Sequence, residues 1–300
     1  MAISVNLSMD VMSSDKKSFI VQDMPNEKYH GRAENSSTDL RNILKSDEMY
    51  IDKRTEQWGE KEKPTKAMEQ GTALHTFCLE PEKFTEEVVV KDKDLKLTTK
   101  VGKEFQQKHI DKIIIDEDYH KTLEVLRDKL HIKGKDIFFN EGIKEASFFW
   151  IDKYDIHCKC RPDYLSPDFQ YMIDLKSTTD ASPRGFKNSV LKFNYAVQAQ
   201  FYIRGVHKVS GIKPRNFYFI AMEKTRPYHV EIYDLDETWL KIADKEIDEA
   251  LYRIFNLRDR DFIPNGYTIE PTTLSPPQYM LENEEKKKVT PKNYQEIELY

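Results

Sequence analysis

Three ionisable residues interrupt apolar sequence where chemistry could follow: Asp163 in Arg161-Pro162-Asp163, and Asp174 with Lys176 in Tyr171-Met-Ile-Asp-Leu-Lys. On a strand, residues two apart share a face, so Asp174 and Lys176 point together while Ile173 and Leu175 face the other side. Ionisable groups inside an apolar strand break the local pattern, and such breaks tend to mark sites. Asp163 stands eleven residues before Asp174, on the adjacent strand after a short turn. Neighbouring strands lie about 5 Å apart, so both carboxylates can reach one cation. A hard cation such as Mg²⁺ takes oxygen ligands and keeps several waters for phosphate and nucleophile. Lys159 and Arg161 share the face of Asp163 and could hold a phosphate or depress the carboxylate pKa values. For Asp174 and Lys176 a plain surface ion pair is the ordinary alternative.

Other candidates stand further off. His75 lies one helical turn after Gly71, whose missing side chain lets a strand or substrate approach closely. A lone helical histidine is more often an ordinary core or surface residue. Gln198 and Tyr202, four apart, share a helix face; the alternatives are a surface amide and a core aromatic with a wet hydroxyl. Glu145 is an outer acid or a surface carboxylate. Lys100 and Lys103, in a basic stretch from 91 to 103 read as an exposed loop, could contact a nucleic-acid backbone or simply be solvated.

The elements that must position these residues follow from patterning. Asn35-Ser-Ser-Thr-Asp-Leu starts a helix, with Leu40, Ile43 and Leu44 at helical spacing. Residues 61–66 read as a linker and a helix is expected over 67–79, with another over 121–130. From Glu145 the period becomes two: Ala-Ser-Phe-Phe-Trp-Ile, a turn at 152–155, then 156–164, then 171–176. A helix over 194–206 precedes strands near 217–222 and 229–233. Asp236 caps a long amphipathic helix carrying Trp239, Leu240, Ala243, Ile247, Leu251 and Ile254 on one stripe. The reading divides the chain into a flexible arm (1–25), one domain (26–257) and a proline- and charge-rich extended tail (258–300).

Bulk properties narrow the class. With 47 Lys+Arg against 52 Asp+Glu, the net charge is −5. That speaks against coating nucleic acid through bulk charge, but not against an enzyme with a local basic path. Thirty-three percent charged and 39% hydrophobic residues suit a soluble globular protein, and no apolar run approaches the roughly 18 to 20 residues that span a bilayer. The start of the chain lacks a basic segment and an apolar core, so no secretory signal is read. Cys78, Cys158 and Cys160 cannot all pair, and C-x-C alone makes no zinc site. A cytoplasmic, reducing location is expected.

Taken in order, Pro162-Asp163…Asp174-Leu175-Lys176 resembles the PD-(D/E)xK nuclease signature. Gly71-x-x-x-His75 before it and Gln198-x-x-x-Tyr202 after it are similar to the extra motifs of the RecB-like branch. Tyr29-His30, Ser36-Ser-Thr-Asp-Leu40, Gly71-Thr-Ala-Leu-His75 with Leu79-Glu-Pro81, and Glu145-x-Ser147-x-x-Trp150 resemble the RecE-type exonucleases (exodeoxyribonuclease VIII) over roughly residues 25–260. Cys160 departs from the small residue expected before Arg-Pro-Asp and could narrow the approach to Asp163.

The resemblance implies an α/β fold: an α-β-β-β-α-β restriction-endonuclease-like core, a mixed central sheet flanked by helices, and N-terminal helical additions. It implies that His75, Asp163, Asp174 and the Leu175 backbone carbonyl bind one or two Mg²⁺ or Mn²⁺ ions. Lys176 would orient the attacking water, and Gln198 and Tyr202 would fix the site or touch substrate. RecE-type enzymes degrade linear duplex DNA from the 5′ strand, leave a 3′ single-stranded tail for an annealing recombinase, and form rings. The implied setting is a bacterial or phage-infected cell. Rivals are an endonuclease, a Cas4-like nuclease (disfavoured, since its iron–sulfur cluster takes four cysteines), and a catalytically dead DNA-binding scaffold.

Overall fold

Short β-prone runs with little helix between them need partners from distant sequence, and the N-terminal stretch supplies one. In the computed structural model, which describes residues 18–55, 64–134, 142–257 and 271–282, strand β1 (Phe19–Val21) belongs to a sheet. The flexible arm expected over 1–25 is corrected accordingly; residues 1–17 lie outside the described residues. Helices α1 (Asn26–His30), α2 (Ser37–Lys45) and α3 (Asp47–Thr55) follow. The expected start of α2 is built by Asp39, whose carboxylate accepts from both N and Oγ of Ser36 at 2.7 Å and so satisfies the N–H of the residue that opens the helix.

Helix α4 (Lys66–Leu79) is capped by Thr65, and its inner face buries Ala73, Leu74, Phe77 and Leu79. After α5 (Phe84–Glu87) and β2 (Val88–Lys91) comes α6 (Lys100–Lys108). The stretch expected as a basic loop is thus helical from Lys100, because Thr99 accepts from Gly102 N at 3.1 Å and starts the turn. Strand β3 (Ile113–Asp116) pairs in parallel with β2, and α7 (Glu117–Lys133) closes this half.

Next come β4 (Ile143–Lys144), β5 (Ser147–Ile151), β6 (His157–Cys160), β7 (Tyr164–Leu165) and β8 (Tyr171–Thr178). The alternating run 156–164, read as one strand, is two. Pro162 has no N–H to give to a ladder, so the chain leaves one sheet at Cys160 and enters another at Tyr164. Strands β1, β5 and β6 form the first sheet, with Phe19 opposite Phe149. Helices α8 (Pro183–Phe193) and α9 (Tyr195–Ser210), strands β9 (Asn216–Glu223) and β10 (Val230–Asp234), and α10 (Glu237–Leu257) complete the order. Patterning did not announce α8. Asp236 caps α10 as expected, accepting from Thr238 N and Trp239 N at 2.9 and 3.0 Å.

The central sheet runs β10-β9-β8-β7-β4 and is mixed: β8 and β9 are parallel, the other pairs antiparallel. Its two faces support separate apolar cores. Ile173 and Leu175 join the α4 and α7 side, while Met172 joins the α8–α10 side, as a period of two requires. This is the expected restriction-endonuclease-like α/β fold with N-terminal helical additions. The chain divides into units Met1–Phe262 and Ile263–Tyr300. In the second unit residues 271–277 have no regular secondary structure, 278–282 are helical, and Leu274 is exposed; most of the expected tail lies outside the described residues.

Candidate active site

Where β6 ends and β7 begins, Asp163 is set beside the middle of β8. Its Oδ2 accepts from Leu175 N at 2.6 Å, which fixes the carboxylate against the strand that carries Asp174 and Lys176. Helix α4 brings His75 to the same point. His75 Nδ1 lies 3.3 Å from Asp163 Oδ2, and Nε2 lies 3.0 Å from the Leu175 carbonyl oxygen. Lys176 Nζ is ion-paired with Asp174 Oδ2, and Gln198 Nε2 donates to Asp174 Oδ1 at 2.6 Å. Tyr202, one turn further along α9, is buried and lines the cleft. Asp163, Asp174, Lys176, His75, the Leu175 carbonyl, Gln198 and Tyr202 therefore converge from four elements.

Glu145 enters this group more closely than its sequence suggests. It sits between β4 and β5 with φ of 49°, a left-handed conformation uncommon for a side-chain-bearing residue and found where structure over-determines it. Its N–H donates to Asp163 O at 3.2 Å. Ligand atoms of His75, Glu145 and Asp163 all lie within 4.8 Å of one another. Asp174 is instead held by Lys176 and Gln198. The cleft around the triad has a volume of about 710 Å³ and is bordered by Met24, Tyr29, Gly71 and Glu80 among others.

Charge in this pocket is unbalanced. Burial pushes the Glu145 carboxyl up to about 8, with Asp163 adding to the effect. Burial likewise raises Asp174 to about 6, against the pull of Lys176. Burial works on Asp163 too, but the His75 ring and Lys176 overcome it and hold that carboxyl below its usual range. The His75 imidazole is opposed by burial, yet Asp163, Glu145 and Asp174 hold it up at about 9. Buried carboxylates gathered beside an imidazole and a backbone carbonyl fit a hard divalent cation. His75, Glu145, Asp163 and the Leu175 carbonyl would hold it, with Asp174 close by.

Four expected contacts have other settings. Lys159 is buried, and its Nζ donates to the carbonyls of Tyr29 and Arg32 at 2.7 and 2.8 Å. Arg161 Nε donates to Ser147 Oγ and Nη2 to Met24 O, both at 2.9 Å, while its guanidinium lies 4.1 Å from the Tyr29 ring centre. Both cations tie α1 and the segment before it to the sheet, which is a structural setting; Arg161 also borders the cleft, and these two bonds use two of its five N–H donors. Lys100 and Lys103 line a shallow hollow with Glu104 and Ile110 and border neither the cleft at His75 nor the cavity at Lys176. Cys160 does not narrow the cleft. It faces the core at Gly205, where an added Cβ would stand 3.0 Å from its Sγ and 2.5 Å from Trp150. At Gly71 an added Cβ meets only Ser177 Oγ, at 3.9 Å, so packing does not demand glycine there. Sequence reasoning missed Tyr195, over whose ring Lys176 Nζ sits at 4.8 Å; its one signal is its place three residues before Gln198.

A mixed sheet presenting Asp163 beside Asp-x-Lys, with a helical histidine completing the acidic pocket, defines a nuclease of the PD-(D/E)xK class. The family comparison agrees: residues 36–267 match the family described as a PDDEXK-like domain of unknown function (DUF3799). The chain belongs to that family. No curated protein matches it. Among solved structures it is similar to a candidate exonuclease from Eubacterium rectale, with TM-score 0.57 and 13% identity over 87% of this chain and 98% of that one. The structure of SSO0001 reaches TM-score 0.26 at 13% identity, covering 61% and 85%, and carries no weight. Cys78 lies in one core and Cys158 and Cys160 in the other, so they do not gather for an iron–sulfur cluster. Among the described residues no helix is long and apolar enough to cross a membrane.

Proposed function

We propose that this chain is a metal-dependent DNA exonuclease that degrades linear duplex DNA from 5′ ends and leaves 3′ single-stranded tails for recombination. The observation that carries the reading is the gathering of His75, Glu145 and Asp163 within 4.8 Å beside the Asp174–Lys176 pair. A phosphodiester is anionic and repels hydroxide, so hydrolysis needs concentrated positive charge and a positioned nucleophile. Bound Mg²⁺ or Mn²⁺ would supply charge neutralisation at the phosphoryl oxygens and acidify water. Lys176, held by Asp174 over the Tyr195 ring, points an ammonium donor at the attacking water and the developing charge. Gln198 positions Asp174 through its 2.6 Å hydrogen bond. His75 and the Leu175 N–H fix the orientation of Asp163.

Preference for ends accords with the description of the Eubacterium rectale protein as an exonuclease; 5′ polarity rests on the RecE-type motifs alone. The same motifs support duplex ends as substrate, a ring of identical subunits, and a single-strand annealing recombinase as the partner that takes the product. Linear duplex labelled at either end, beside a covalently closed circle, tests the reading in Mg²⁺. The 5′-labelled strand of the linear substrate should shorten while the circle survives. A nicked or linearised circle would make the protein an endonuclease. Digestion by folded Lys176→Ala protein would remove the assigned mechanism.

A further inference from the structure

On the other side of the catalytic pair lies a second cavity of about 450 Å³, bordered by Lys176, Ser177, Lys192, Phe193, Tyr195 and Lys224. Its charge differs from that of the acidic cleft: three lysines line it, with one carboxylate, Asp180, whose Oδ1 accepts from Ser182 N at 2.9 Å. Lys192 and Lys224 have no carboxylate within ion-pair distance among the described residues. Lys192 Nζ instead lies 5.3 Å from the Phe193 ring centre. The two cavities adjoin where Gly71, bordering one, faces Ser177, bordering the other. Lys176 belongs to the second, where it is ion-paired with Asp174.

Phe193 is the unusual member. It is 45% exposed at the end of α8, yet its surroundings are fixed. Arg41 Nη1 donates to Phe193 O at 3.0 Å, and Asn194, at φ 48°, turns the chain directly into α9. The Phe193 ring stacks on Tyr195 with centres 5.5 Å apart at 26°, and Tyr195 stacks on Phe219 at 5.5 Å and 27°. A rigid, outward aromatic at the end of a stacked row, flanked by free ammonium groups, is the combination that holds unpaired nucleotides: bases stack, phosphates meet lysines.

We propose that this groove binds an unpaired stretch of the strand being cut, with a base stacked on Phe193 and phosphates on Lys192 and Lys224, leading to or from the scissile phosphate at Lys176. The proposal rests on the nuclease reading but is tested apart from it. Binding of fluorescent dT12, and of an all-abasic chain of the same length, is measured by anisotropy in Ca²⁺ for wild type, Phe193→Ala and Lys192→Ala/Lys224→Ala. Phe193→Ala should weaken dT12 binding about tenfold and leave the abasic chain unaffected. The double lysine variant should weaken both chains and flatten the salt dependence by about 0.7 in slope per lysine. Equal affinities for dT12 in wild type and Phe193→Ala, with melting temperatures confirming folding, would overturn the groove. Wild type that cuts duplex yet shows no base-dependent term at Phe193 discards the groove and keeps the nuclease. Base-dependent binding through Phe193 in a protein that cuts no DNA keeps the groove and discards the nuclease.

Discussion

The two cavities that adjoin at Gly71 and Ser177 differ in what they can attract. The first gathers Asp23, Glu80, Glu87, Glu145 and Asp163 against Lys83 and Arg161; the second sets Lys176, Lys192 and Lys224 against Asp180 alone. One side is lined mainly by carboxylates and the other mainly by ammonium groups, on either side of the strand that carries Asp174 and Lys176. A net charge of −5 hides this division, because the sum over the chain says nothing about which cavity each charge lines. Arg161 sharpens the lesson, since it borders the acidic cleft while two of its donors go to Ser147 and Met24.

The division can be attacked directly. The largest effect is expected at its centre: Lys176→Ala or Asp163→Asn should lower turnover of linear duplex by about a thousandfold or more, with the circular dichroism spectrum retained. Next, Glu145→Gln should raise the Mg²⁺ or Mn²⁺ concentration for half-maximal activity by about ten- to a hundredfold and leave the salt dependence of DNA binding alone. Lys224→Ala should do the reverse, so one pair of titrations would merge the two cavities if both variants moved both quantities. A subtler effect belongs to the rim. Burial tends to raise the Glu223 carboxyl, but hydrogen bonds from Ala181 N at 2.8 Å and from His229 hold it below its usual value. Its contribution to stability is thus present above about pH 4.5 and lost as pH falls through the lower folded value. Glu223→Gln should cost about 1 kcal/mol near neutral pH and less at pH 3, read from urea unfolding at both. A constant cost would remove the charge-based account of the Ala181 anchor beside the basic cavity.

Strand β8 was legible because period-two alternation is local: Asp174 and Lys176 stand out against Ile173 and Leu175 in any register. The helices of His75 and of Gln198 with Tyr202 were legible for the same reason, as were the cap at Asp236 and the stripe on α10. Lys159 and Lys100 show the opposite case. A lysine reads as free charge in sequence, and only the fold reveals that Lys159 is buried against two carbonyls and that Lys100 sits on a helix away from the site. The break at Pro162 was visible as a residue and not as a change of sheet.

By itself, then, the sequence determined the candidate residues for phosphoryl chemistry and most of the elements that carry them, since side-chain chemistry and strand or helix period are properties of neighbouring residues. The tertiary structure alone decided that Glu145, in its left-handed turn, joins His75 and Asp163 within 4.8 Å, and that Asp174 is taken up by Lys176 and Gln198. It alone set Phe193 and Lys224 in one groove. The Gln198–Asp174 and His75–Leu175 contacts join residues 24 and 100 apart in the chain, brought together by sheet pairing and helix packing that no local pattern encodes.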